Sequence, residues 1–227
     1  MVIVVNEHDS VYVFEADSKS QIPIWKVSFL NPTFGVTSVP AGDVGGTSEG
    51  GRDIIPEIGI TGIGVIDPES NTYYIVSKTK ENGAYVQRLH DLDVASGAER
   101  AGSRVKIEAR LFDSRRQNQR AALTLSRGIV YISFASHEYN PPYHGWILGY
   151  DAQKLNQVFA FNDTPDGKWG GIWMNGDSPS VDDEGNLYVI SGNGSFNPAQ
   201  NNYGDSYLKL TPDRSGALKF ADFFYPF

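Results

Sequence analysis

The sequence predicts an all-β protein built from β-propeller blades, and three observations carry that prediction. Runs of β-branched and aromatic residues recur along the whole chain, whereas a sustained helical period is absent. The runs are punctuated by 24 glycines and 12 prolines, as short strands joined by turns require. One pattern of strand, loop, strand, turn and strand also recurs four times, with its second strand closing near Asp17, Asp93, Asp151 and Asp213. A sandwich would not repeat such a motif. Four-stranded antiparallel blades arranged around an axis are therefore expected.

The elements follow in order. The repeating first strands are Val2–Asn6, Tyr73–Ser77, Val130–Phe134 and Leu187–Ser191. The second strands are VYVFEAD (11–17), YVQRLHDLD (85–93), WILGYD (146–151) and YLKLTPD (207–213). Ser-Gly follows at 96–97 and 215–216, where a tight turn needs a residue with positive φ. IWKVSF, RVKIEARLF, QVFAFN and LKFADFF complete the units. Every unit but the first is preceded by a small-residue-rich strand suited to the crowded centre of a radial array: GITGIGVID, AALTLS or DSPSVD. Only Asp113–Ala122 and Asp151–Val158 have the composition for a turn or two of helix.

These boundaries give a single partial propeller domain over 1–227, with blades at 2–30, 57–112, 120–163 and 171–227. A Gly/Pro/Ser-rich loop at 31–56 is expected to make an excursion on one propeller face. Four blades are few. The expectation is part of a seven- or eight-bladed ring, completed by another chain or a missing segment, because a half ring leaves two blade faces bare.

Composition removes several classes of function. A net charge of -8 without a basic cluster argues against nucleic acid and against anionic membrane surfaces. The absence of cysteine excludes disulfides, thiolate metal sites and cysteine nucleophiles. No apolar run reaches 18 residues, so no membrane insertion is expected, and residues 1–15 read as strand rather than leader. No GxSxG, P-loop, HExxH or dinucleotide fingerprint occurs. Acidic loops are compatible with Ca²⁺, which takes carboxylate and amide oxygens.

Propeller topology places inter-blade connections on the same face as the loops between the two middle strands of each four-stranded blade. Trp173, Glu138, Asn193 and Asp205 all fall on that face. The loop SHEYNPPYHGW brings His137, Tyr139, Tyr143, His144 and Trp146 to the same region, as a possible aromatic surface for a sugar or a protein. Its two histidines match no recognised metal spacing. His8 and His90 show no visible partner and receive no role.

Gly170-Gly171-Ile172-Trp173, Asn186-Leu187-Tyr188, Gly192-Asn193-Gly194-Ser195-Phe196 and Gly204-Asp205 together resemble the quinoprotein dehydrogenases. Those are eight-bladed propellers that bind pyrroloquinoline quinone and Ca²⁺. VYVFEAD with Trp25 is similar to their tryptophan-docking blade repeat. The resemblance implies that Trp173, beside Gly171, forms the floor under the cofactor, that Asn193 and Glu138 ligate Ca²⁺, and that Asp205 is the catalytic base. It also implies residence outside the cytoplasm. The pattern departs from the family in lacking its adjacent cysteines, in having Ser206 in place of Asn, and in having Phe196 near the position of a Trp.

Plainer roles exist for the same residues. Asn193 suits a turn, Trp173 a blade core, Asp205 a loop cap and Glu138 a solvated edge. The leading expectation is a non-catalytic propeller presenting one loop face to a small molecule, glycan or protein. A quinone- and Ca²⁺-dependent alcohol or sugar dehydrogenase is one alternative, and a structural subunit of a larger assembly is another.

Overall fold

The computed structural model describes residues 1–45, 54–100, 102–137, 141–212 and 218–226. Blade one contains β1 (Val2–Asn6), β2 (Ser10–Phe14) and β3 (Trp25–Ser28), paired antiparallel in that order. The stretch 31–56, expected as a loop, carries β4 (Val36–Pro40) and α1 (Ala41–Val44), and β5 (Glu57–Ile58) follows it. β4 pairs with the far end of the next blade's long strand, through Val36↔Glu81 to Ser38↔Thr79. Its β-branched residues Val36, Thr37 and Val39 are a weak strand signal that the surrounding glycines and prolines obscured.

Blade two contains β6 (Val65–Asp67), β7 (Thr72–Glu81), β8 (Ala84–Asp93) and β9 (Val105–Lys106). Its fourth strand is much shorter than the run RVKIEARLF suggests. β10 (Gln117–Asn118) then leads into blade three: β11 (Thr124–Ser126), β12 (Ile129–Ser136), β13 (Trp146–Asp151) and β14 (Gln157–Asn162). Blade four contains β15 (Ser180–Val181), β16 (Leu187–Ile190), β19 (Tyr207–Pro212) and β20 (Leu218–Phe224). A small hairpin, β17 (Phe196–Asn197) with β18 (Asn202–Tyr203), interrupts it between β16 and β19.

The side-chain period of two explains how the blades stack. On β7, Tyr73 and Ile75 pack towards blade one beside Val11, Val13 and Trp25. Tyr74 and Val76 point the other way and join Ile132, Phe134, Trp146 and Leu148 of blade three. On β12 and β13, Tyr131 and Ile147 reverse again and meet Leu187, Val189, Leu208 and Leu210 of blade four. Central strands are therefore buried on both faces, and each buried large apolar side chain contributes about 1.5–3 kcal/mol. Trp25 locks the first junction: its Nε1 donates to the Val94 carbonyl at 3.0 Å, and its ring lies against Gly97, whose φ is 73°. A Cβ at Gly97 would come within 2.5 Å of that ring.

The outer blades differ. Blade four turns Tyr188, Ile190, Tyr207 and Phe224 to solvent, with Phe224 63% exposed. A shallow apolar cleft of about 400 Å³ runs between these side chains. Blade one likewise exposes Val2 and Val4. Among the described residues no helix is long and apolar enough to cross a membrane.

Candidate ligand-binding face

The segment 168–172 connects blade three to blade four and is clamped from both sides. Trp169 N–H donates to the Tyr143 carbonyl at 2.9 Å, and Gly145 N–H donates back to the Trp169 carbonyl at 3.1 Å. On the other side Gly170 N–H donates to the Asn193 carbonyl, Gly192 N–H to the Gly171 carbonyl and Ser195 N–H to the Lys168 carbonyl, at 2.9–3.0 Å. The inter-blade connection and the two intra-blade loops thus share one face, as the topology required.

Glycines permit this approach. A Cβ at Gly194 would lie 2.6 Å from the Gly170 nitrogen, and one at Gly204 would lie 2.4 Å from the Gly194 carbonyl carbon. Only backbone fits between these three strips. The half-buried Trp173 indole lies along the same strips, against Gly171 and Gly192. Asp205 closes the loop. Its φ is 55°, its N–H donates to the Gly192 carbonyl at 2.9 Å, and its Oδ2 accepts the Gly194 N–H at 3.2 Å. Ser206 is buried, with its Oγ donating to the Gly204 carbonyl and its N–H donating to Ser191 Oγ.

Gly171, Trp173, Asn193 and Asp205 are therefore brought together, 34 positions apart at their extremes, with Asn193 exposed on the rim. Glu138 and Tyr139 lie outside the described residues. Tyr143 and Trp146 are buried, at 3% and 4% exposure, so they serve the chain's interior rather than an exposed stacking surface. Trp146 belongs to β13 and meets Phe112 edge-on, because alternation turns it into the core between blades two and three.

The two loop histidines are occupied internally. His137 is buried, and its Nε2 accepts from Lys78 Nζ at 2.7 Å; the same ammonium donates to the Arg115 and Gln117 carbonyls. Burial, with the Lys78 charge, pushes His137 down to about 2, and burial lowers Lys78 to about 7. His144 Nδ1 meets Thr164 Oγ1 at 3.1 Å, and its N–H donates to Gln117 Oε1.

Asp163 is a residue that sequence reasoning missed. It is fully buried beneath the face, its Oδ1 accepts the Gly145 N–H at 3.0 Å, and its carbonyl accepts the Tyr203 N–H at 2.7 Å. A Cβ at Gly170 would meet its carboxyl at 2.6 Å. Burial without a cation beside it raises its carboxyl well above the usual range, and its bonds to Gly145 and Tyr203 tie blade three to blade four. Only its place just after a strand marks it in the sequence.

The fit to a quinone and Ca²⁺ is partial. Trp173 supplies an aromatic side chain, and Asn193 and Asp205 carry oxygen donors, although Asp205 Oδ2 already holds Gly194. Ca²⁺ takes six to eight oxygens. Among the described residues no three His, Asp or Glu side chains form a metal-holding group.

No family model matches the chain, and no curated protein matches it. Among solved structures it is similar to a quinohemoprotein alcohol dehydrogenase from Pseudomonas putida HK5, with a TM-score of 0.60 and 16% identity. The match covers 98% of this chain and 32% of that one, so the chain spans about a third of its neighbour's length. At that identity the likeness shows the fold, a quinoprotein-like β-propeller.

Proposed function

We propose that the chain is a propeller scaffold whose loop face, built around Trp173, is non-catalytic and binds a small ring-bearing molecule, with a glycan as the first candidate. The observation that supports this reading is the use of Asp205. The carboxylate that the family resemblance would make a base instead accepts the Gly194 N–H, while the Asp205 backbone N–H holds the Gly192 carbonyl, and the indole beside it is half-exposed. An aromatic plane bordered by an exposed amide is the usual equipment for holding a sugar ring. The apolar outer side of blade four belongs to the same reading: a further blade, from another segment or another chain, packs on it as blade four packs on blade three. Residence outside the cytoplasm accompanies the proposal through the resemblance.

Glycans are screened by thermal shift, since a ligand held only by the folded state raises its melting temperature by mass action. The scaffold reading expects a shift that disappears in Trp173→Ala. It fails if no glycan shifts the natural protein.

The grouping of Asn193 with Asp205 and Trp173 favours one second reading, an alcohol or sugar dehydrogenase. In it pyrroloquinoline quinone supplies the two-electron oxidation, Trp173 supports its ring, Asn193 and Glu138 hold Ca²⁺, and Asp205 takes the alcohol proton. Dye reduction that needs alcohol, quinone, Ca²⁺ and Asp205 would establish it over the scaffold.

A further inference from the structure

A second cleft, of about 470 Å³, lies between blades one and two. Ser77, His90, Phe29, Asn31, Arg88 and Arg104 are among its lining residues. Ser77 pairs with Arg88 across β7 and β8, and Ile75 pairs with His90. Ser77 and His90 are therefore diagonal neighbours on one face of the blade. His90 Nε2 lies 2.8 Å from Ser77 Oγ, and His90 Nδ1 lies 2.6 Å from Glu99 Oε1. Phe29 stacks on the imidazole with ring centroids 3.7 Å apart, which fixes the ring plane and leaves both nitrogens in line with their partners.

The proton positions follow from the partners. An ionised carboxylate only accepts, so Nδ1 carries the hydrogen and Nε2 is left to accept from the Ser77 hydroxyl. Burial pushes the Glu99 carboxyl up, but the hydrogen bond from His90 and the positive charges of Arg104 and Arg88 outweigh it and hold it below its ordinary value. Burial lowers His90, which keeps the imidazole neutral. Arg104 Nε, 3.3 Å from Glu99 Oε2, braces the carboxylate from its other oxygen.

We propose that Ser77, His90 and Glu99 form an acyl-transfer site in this cleft, separate from the Trp173 face and independent of its function. The relay has the geometry of a nucleophile, its base and the group that orients the base. The substrate class is an acyl ester small enough for the cleft. Ser77 Oγ attacks the acyl carbon while its proton passes to His90 Nε2. The bond to the leaving alcohol breaks, and the alcohol departs with that proton. Water then attacks the Ser77 ester with His90 taking its proton, the acid leaves, and the hydroxyl is restored. Asn31 and Arg104 are among the lining residues, and the Asn31 amide and the Arg104 guanidinium N–H groups not engaged by Glu99 are the donors available to negative charge developing on the carbonyl oxygen. Glu99 is a positioning residue, because it acts through His90.

The test is labelling of the full chain with a fluorophosphonate, read by peptide mass spectrometry, alongside the acyl burst with p-nitrophenyl acetate. The expected result is one adduct on Ser77, absent from Ser77→Ala and slowed about a hundredfold or more in His90→Gln, the loss of a general base. Glu99→Asp should keep more of the rate than Glu99→Ala, a rescue that loss of packing alone does not give. If His90→Gln fails to fold, the two Glu99 variants carry the comparison, since that side chain is 27% exposed. An unmodified Ser77 in folded natural protein overturns the proposal. So does a labelling rate indifferent to both His90 and Glu99.

Discussion

The indole of Trp173 rests on the Cα of Gly192: a Cβ there would lie 3.3 Å from the ring's Cδ1 and 3.4 Å from its Nε1. Together with Gly171, whose Cβ would lie 3.0 Å from the same Nε1, this contact fixes where this half-exposed aromatic of the loop face lies.

Adding bulk beneath the ring should displace it. Gly192→Val is expected to weaken ligand binding while leaving the blades folded, whereas Gly204→Ala drives a Cβ into the Gly194 backbone. The latter should cost about 1–3 kcal/mol, the usual range for overpacking. Urea titration of both variants separates the two effects.

Trp25→Ala tests the junction between blades one and two. It removes a buried ring and the bond to the Val94 carbonyl. The expected loss is about 3–5 kcal/mol, seen as a lower urea midpoint. A loss under 1 kcal/mol would mean that Trp25 does not lock this junction.

Acid should destabilise the protein through His137. Its proton affinity is depressed on folding, so the unfolded chain binds the extra proton below about pH 6.5. The stabilisation is complete above that pH and is lost progressively as pH falls towards the folded value of about 2. The slope attributable to this group approaches about 1.4 kcal/mol per pH unit. His137→Gln keeps an acceptor for Lys78 and should flatten the stability profile below pH 6.

Asp163 has the opposite sign. Its folded affinity is raised, so its contribution is present at low pH and is lost as pH rises through the folded value. Asp163→Asn retains an oxygen acceptor for the Gly145 N–H and removes the titration. Relative to the natural protein it should gain stability as pH rises above the ordinary carboxylate range, as chemical denaturation across a pH series would show.

The exposed side of blade four carries a prediction about assembly. With Tyr207 52% and Phe224 63% exposed, the isolated chain should self-associate in light scattering. Ile190→Lys combined with Phe224→Lys should return it towards the monomer mass of 25.0 kDa.

The propeller was legible because blades repeat. Strand alternation, the terminal aspartates and Trp25 carry the same message at several places, so a local error at β9 or β4 does not change it. The loop face was legible in part. The Gly170–Trp173 and Gly192–Asp205 motifs meet as their positions on the topology require, but burial was not readable for Tyr143 and Trp146, which look like surface aromatics in a proline-rich loop. The Ser77–His90–Glu99 relay was invisible for a physical reason. It depends on the exact register of β7 against β8 and on Phe29 arriving from another blade, and no motif spacing encodes either. Asp163 was hidden likewise, because its importance lies in the backbone groups packed above it.

The central claim, a binding rather than catalytic face at Trp173, is tested most directly by titrating intrinsic fluorescence with a set of oligosaccharides and, separately, with pyrroloquinoline quinone plus Ca²⁺. Each titration is followed by an alcohol- and sugar-dependent dye-reduction assay. The account predicts saturable quenching by a glycan, weakened about tenfold or more in Trp173→Ala, a change of at least about 1.4 kcal/mol, with no dye reduction under any condition. Glycan affinity unchanged in Trp173→Ala, or dye reduction abolished by Asp205→Asn, would contradict it.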